Sequence, residues 1–226
     1  MELYVNHPKH YVAVDCVIFG YQDDQLKLLL YPRGFEPSKG NWSLPGGFIQ
    51  NDESSDEAAA RILKQTTGLE EIFMEQVQVF SKPDRDPEAR VISLAYYALI
   101  RIDLYDEEIL KKTGAEWYPI NNLPTLLFDH KDMVDKALSR LQQKAGYSLI
   151  GSELLPEMFT LIQLRKVYDA IFMREFDPGN FRKKILSLGV LERLDLKNAS
   201  ESKKGAFYYK VKNNVDETGK DRIVKL

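Results

Sequence analysis

The chain has a single cysteine, Cys16, among 226 residues, so no intramolecular disulfide can brace it. That points to a reducing compartment and to a fold that relies on its core. Long apolar runs are missing as well, since nothing approaches the roughly 18 consecutive apolar residues of a membrane span. The opening segment MELYVNHPKHY lacks the apolar stretch of a secretory leader. There is no internal repeat and no long low-complexity tract. Together these absences lead to the expectation of a cytoplasmic protein without membrane association. What is present is an ordinary globular balance, 44% hydrophobic and 29% charged, in a chain long enough for one large domain or two small ones.

The net charge of −3 hides an uneven distribution. Residues 151–226 hold 15 Lys/Arg against 11 Asp/Glu, whereas residues 1–150 hold 16 against 23. Within 181–212 the balance is 9 basic to 3 acidic. A basic region on an acidic body suits an anionic partner for the C-terminal part. A solvated charged surface would give the same count, and the local pattern has to decide between them.

Residues 12–21 (VAVDCVIFGY) and 25–31 (QLKLLLY) are rich in β-branched and aliphatic residues and flank the polar turn Gln22-Asp23-Asp24, the pattern of a hairpin. Trp42 to Gly47 reads as a tight loop. A helix follows, with Ser54 or Ser55 as N-cap, an Ala58-Ala59-Ala60 run, and Gly68 placed where a left-handed residue commonly ends a helix. Further strands are expected at 75–81, 90–102 and 116–120, and a helix around 131–144. Tyr97 and Trp117 read as core. Small residues between Gly146 and Ser152 mark a linker, so the chain divides into domains at 1–150 and 151–226.

The second domain follows its own order. Thr160 with Gln163 three residues on is a capping box, and Leu161, Leu164, Tyr168 and Ile171 recur at helical spacing. Asp177-Pro178 opens another helix, with Asp as N-cap and Pro in the first turn. Phe181, Ile185 and Leu188 form its buried stripe, and Gly189 closes it. Segments 190–196 and 206–211 can pair as a ribbon around the polar loop 197–205. Helix, turn, basic helix and ribbon is the order of a winged helix-turn-helix, whose second helix fits the DNA major groove while the wing touches flanking phosphates. Asn180, Arg182, Lys183 and Lys184 lie on that helix, and Lys203 and Lys204 at the wing tip are suited to phosphate. Winged folds also serve protein contacts, so a non-DNA adaptor stays open at this point.

The segment Gly47 to Leu69 (GFIQNDESSDEAAARILKQTTGL) resembles the Nudix box. Gly47, Glu53, Arg61, Leu63, Gly68 and Leu69 fall in register, but the three core glutamates are replaced by Ile62, Gln65 and Thr66. In working family members those carboxylates hold magnesium against a diphosphate. Isoleucine cannot ligate a hard cation, and an amide or hydroxyl brings no charge. The resemblance therefore implies a Nudix scaffold without the enzyme activity, and neither a metal nor a cofactor is expected. Glu53 and Glu57 remain near the former metal position. Glu57 could equally be a solvated helix residue.

Leu155 to Leu161, Tyr168 to Ile171 and Asp177 to Ile185 look like the C-terminal domain of Nudix-related transcriptional regulators, and Phe128-Asp129-His130 matches a motif that family carries before its last effector-domain helix. The resemblance implies an α/β (α+β) Nudix α/β/α sandwich followed by a small α+β winged helix-turn-helix domain. It further implies a homodimer on double-stranded operator DNA, with half-sites about one helical turn apart, controlled by a small-molecule effector and acting as a repressor. Some members answer to ADP-ribose and govern NAD metabolism, others to sugars. L-arabinose is the expectation here, ADP-ribose the alternative, and a Nudix hydrolase with displaced metal ligands a further rival. Arg33, Phe35, Trp42, Glu53 and His130 are the candidate effector-binding residues. Scaffold packing is the competing reading for Trp42, a surface salt bridge for Arg33, and a structural hydrogen bond for His130.

Overall fold

The computed structural model describes residues 4–34, 38–70, 72–104, 108, 112–201 and 205–212. Strands β1 (Tyr11–Gln22) and β2 (Gln25–Pro32) form the expected hairpin. Its turn is tighter than expected, because Gln22 already pairs with Gln25. Asp23 and Asp24 alone make the reversal, at φ 54° and 58°. Two left-handed residues in succession match the twist of the flanking strands.

The first domain is built on one mixed sheet. β6 (Val91–Arg101) runs parallel to β1 from Tyr11↔Val91 to Tyr21↔Arg101. Both strands are covered on both faces, which explains why their sequences are apolar almost without alternation. β5 (Phe73–Phe80) pairs antiparallel with β6, with a bulge at Gln76/Gln78, and β7 (Glu116–Pro119) pairs with β2. The segment expected to be a tight loop contains two short strands instead. β3 (Trp42–Ser43) pairs with the end of β2 and β4 (Gly46–Phe48) with β1. Their hydrogen-bond partners are distant in sequence, so the local composition could not announce them.

Helix α1 (Ser55–Thr67) lays Ala58, Ala59, Ile62 and Leu63 on Val14, Cys16 and Ile18. Ser54 is its N-cap, in a reciprocal capping box with Glu57, and Gly68 ends it at φ 73°. Helix α2 (His130–Ala145) covers the opposite face, where Met133, Val134, Ala137 and Leu141 meet Val17, Phe19 and Leu28. Helix, sheet and helix make the expected sandwich.

A 3-10 turn, Ile150–Leu154, leads into β8 (Phe159–Thr160), α3 (Leu161–Phe172), α4 (Pro178–Ser187), β9 (Leu191–Asn198) and β10 (Ala206–Val211). Thr160 and Gln163 close the capping box, and the Asp177 carboxylate accepts from Asn180 N at 2.7 Å. The sheet order is β8-β10-β9. β8 was not anticipated; two residues become a strand only because Phe159 and Thr160 find Tyr209 and Tyr208. β9 runs on to Asn198, with Lys197 paired to Phe207, so the loop expected at 197–205 is shorter. Lys203 and Lys204 lie outside the described residues.

One hydrophobic interior crosses both halves. The cluster holding Val17, Phe19 and Leu141 continues through Leu154, Leu164 and Tyr168 to Phe181 and Ile185. Polar pins reinforce it: Tyr168 Oη donates to Ser148 O at 2.8 Å, Gln142 Nε2 to Ile171 O at 2.8 Å, and Lys166 Nζ to Asp24 at 2.6 Å. No helix among the described residues is long and apolar enough to cross a membrane.

Candidate functional site

The box residues sit where the helix frame puts them, but their polar groups are engaged within the protein. Ile62 is buried in the α1 layer, and a Cβ on Gly47 would meet its Cδ1 at 2.8 Å. Glycine at 47 is what allows that close approach. Thr66 Oγ1 donates to Ile62 O at 2.6 Å and so serves its own helix, while Gln65 is exposed. Glu53 takes Arg61 in a two-pronged pair, at 2.9 and 2.6 Å, and also accepts from Gln50 N. The Arg61 hydrogen bonds, with that backbone donor, hold the Glu53 carboxyl down to about 2. Glu57 accepts from Ser54 N and Ser54 Oγ, which lowers its pKa too. The residues present do not fit a magnesium ion held on the box. Among the described residues no group of three or more His, Cys, Asp or Glu gathers to hold a metal.

Beside the box lies a cavity of about 690 Å³ between the start of β1, the end of β2, β4 and the loop before β6. That volume falls in the range of small-molecule and cofactor sites. Its deep wall is a buried polar network. Arg85 forks onto Asp129 at 3.0 and 2.7 Å and lies 3.6 Å from Asp15. Ser93 Oγ donates to Asp15 Oδ2 at 2.5 Å, and Leu44 N donates to His130 Nδ1 at 3.1 Å. Asp129 precedes α2 without capping it, because its carboxylate turns to Arg85 instead. A buried cation flanked by two carboxylates satisfies the rule that interior charges are paired.

Phe128, also on the cavity wall, has φ 46°. A bulky residue in the left-handed region costs on the order of 1–2 kcal/mol. The strain is held by the flanking Leu127 N to Trp42 O and His130 N to Leu127 O bonds. It presents the Phe128 ring to Arg33, whose guanidinium lies 5.4 Å from the ring centre. The loop base that carries Arg33 is fixed by Arg33 N to Asn41 O and Gly40 N to Arg33 O.

Of the expected effector residues, Arg33 and His130 therefore meet at this cavity. Trp42 and Glu53 are not brought there. Trp42 packs edge-on against Tyr118 at 5.0 Å, and Glu53 faces Arg61 beyond the cavity. Phe35 lies outside the described residues. Asp15 and Arg85 were not expected at the site, and Phe128 was expected only as part of the Phe128-Asp129-His130 motif. Asp15 had a signal, since a carboxylate inside the apolar run VAVDCVIF demands a partner. Arg85 had none, because its partner Asp129 is far along the chain.

On the second domain, Asn180, Arg182 and Lys183 are exposed on α4, with Lys184 half-buried on the same helix. Phe181 and Ile185 anchor the opposite side in the core. On the ribbon, Arg193 and Lys197 lie over the Phe207 ring at 4.6 and 4.5 Å.

Residues 9–138 match the NUDIX domain family, and residues 151–211 match the NrtR DNA-binding winged helix domain. The ADPR responsive transcriptional repressor NtrR of Acinetobacter baylyi is 32% identical over 194 residues, covering 84% of this chain and 78% of its own. Over a shorter stretch, the ADP-ribose pyrophosphatase of Methanocaldococcus jannaschii is 38% identical over 133 residues, 57% of this chain and 72% of its own. The crystal structure of Shewanella oneidensis NrtR complexed with a 27mer DNA superposes with a TM-score of 0.83 at 30% identity, covering 93% of this chain and 98% of that one. A Nudix fold continuous with a winged helix defines the class: a Nudix-related regulator. Within that class, the chain belongs to the NrtR-like family. The regulator from Acinetobacter baylyi is described as responsive to ADP-ribose, which favours the alternative effector over the expected L-arabinose. Arginine and aromatic walls serve a sugar and a nucleotide equally well, so the residues alone did not separate them.

Proposed function

We propose that the chain is a DNA-binding transcriptional repressor that responds to ADP-ribose, bound and not cleaved in the cavity of its Nudix fold. The observation that carries the reading is Ile62 buried beneath Gly47, where the box would hold a metal-binding carboxylate, beside a cavity of about 690 Å³. Arg33 over Phe128 offers a cation for the diphosphate and an aromatic wall for a base. The exposed Arg182 and Lys183 on α4 supply the operator contacts, and a homodimer would set two such helices on successive major grooves. Ligand alters operator affinity only if it prefers one arrangement of the winged domains.

Fluorescence anisotropy on DNA upstream of the gene, at fixed salt, tests this. Sequence-preferring binding released by ADP-ribose and not by L-arabinose is the expected result. Release by arabinose alone, or no preference for any DNA, would overturn it.

A hydrolase with displaced ligands is the second reading, favoured by the archaeal pyrophosphatase and by Asp86 and Glu88 on the cavity wall. Incubation with magnesium and ADP-ribose separates the two. Turnover at about 1 s⁻¹ or faster, an ordinary enzyme rate, would establish the hydrolase.

A further inference from the structure

His130 was open to two readings, a structural hydrogen bond or a ligand contact, and its two ring nitrogens divide them. Nδ1 accepts from Leu44 N at 3.1 Å. Burial pushes the imidazole pKa down, so the ring is neutral and its one proton sits on Nε2. Nε2 lies 3.8 Å from Asp15 Oδ1, too far for a direct hydrogen bond. The other Asp15 oxygen is already engaged by Ser93 and faces Arg85. A fixed donor on a side chain that is only 6% exposed and a fixed acceptor thus stand on the cavity wall with a gap between them. Gly46 keeps the acceptor uncovered, since a Cβ there would come within 2.4 Å of Oδ1.

We infer that His130 and Asp15 form a hydroxyl-recognition subsite, in which one sugar hydroxyl of the ligand accepts from His130 Nε2–H and donates to Asp15 Oδ1. An oxygen about 2.8 Å from each atom, an ordinary O–H···O separation, fits a gap of 3.8 Å. A hydroxyl both donates and accepts, whereas a phosphate oxygen only accepts and would confront the Asp15 carboxylate. The diphosphate therefore lies elsewhere, toward Arg33. A wall that presents a fixed donor beside a fixed acceptor favours ligands with a hydroxyl there over ligands without one. The inference rests on reading the cavity as the ADP-ribose site.

The test compares His130→Asn with His130→Gln. The Asn carbonyl can replace Nδ1 toward Leu44 N but leaves nothing at the Nε2 position, whereas the Gln amide reaches it. Calorimetric titration of the full chain uses ADP-ribose and ADP, with thermal unfolding run in parallel. H130N should bind ADP-ribose about tenfold more weakly or worse, the loss of one good hydrogen bond, and H130Q should recover most of that. Loss with ADP-ribose alone assigns the hydroxyl to the terminal ribose, and equal loss with ADP assigns it to the adenosine ribose. Asp15→Asn, which keeps the volume, gives a second readout if H130N unfolds early, and should weaken ADP-ribose in the same direction. Wild-type affinity in folded H130N and D15N would overturn the subsite while leaving the effector reading intact. A wild-type chain that binds neither nucleotide would overturn both.

Discussion

Charge is handled in opposite ways at the two ends of this molecule. In the first domain ionic groups are matched within the protein, near the surface for Glu53 with Arg61 and Glu57 with the start of α1, and turned inward for Arg85 between Asp15 and Asp129. On α4 the apolar side faces in, and Arg182 and Lys183 stand exposed. A residue type therefore carries little functional information until its partners are known. Acidic residues beside a degenerate metal box suggest a metal, yet here each is employed in holding a loop or a helix end. Basic residues on a short helix suggest a solvated face, and only their place on the second helix of a winged domain proposes DNA as their partner.

Breaking the inward set should cost the most. Arg85→Ala leaves Asp15 and Asp129 buried without their cation, and urea unfolding should show a loss of about 3 kcal/mol. A change within experimental error would mean that the wall is solvated and the contrast false. The outward set should behave in reverse. Arg182→Ala with Lys183→Ala should leave stability within about 0.5 kcal/mol, while operator affinity falls about tenfold or more and the salt dependence of binding flattens by about two phosphate contacts. Unfolding of that variant, or unchanged DNA binding, would count against α4 as the reading helix.

Two smaller effects sharpen the account of the box. Ser54→Ala removes one half of the capping box and should cost about 1 kcal/mol in thermal unfolding. Glu53 provides a titration check. Its carboxyl is depressed to about 2 from an ordinary 4.5, so its pairing contributes fully above the ordinary value and is lost only as pH falls toward 2. Carboxyl NMR should find it ionised at pH 4 in the native chain, and returned toward 4.5 in Arg61→Ala.

Much of the frame was legible because it is specified locally. Ser54 with Glu57, Thr160 with Gln163, and Asp177 with Pro178 write their helix starts into a few consecutive residues. The long apolar strands β1 and β6 were readable for the same reason. What escaped depends on partners brought from afar. β8 exists only through Tyr208 and Tyr209, Arg85 acquires meaning only from Asp129, and the left-handed backbone of Phe128 is held by the bonds of its neighbour Leu127 to Trp42 and His130. The effector was the clearest case. Arg33 and His130 were singled out in the sequence and stand at the cavity, but a cation and an aromatic wall suit a pentose and a nucleotide alike, and no local motif separates the two.

The unbroken interior that runs from β1 to α4 has a consequence for how such a regulator can be taken apart. Leu141, Leu154 and Tyr168 take part of their cover from across the boundary near residue 150, so a cut there is expected to expose apolar surface. Along that seam the two halves share packed side chains. Any change in the arrangement of the two halves has to repack side chains along that seam, which sets part of the free energy a ligand would need to supply.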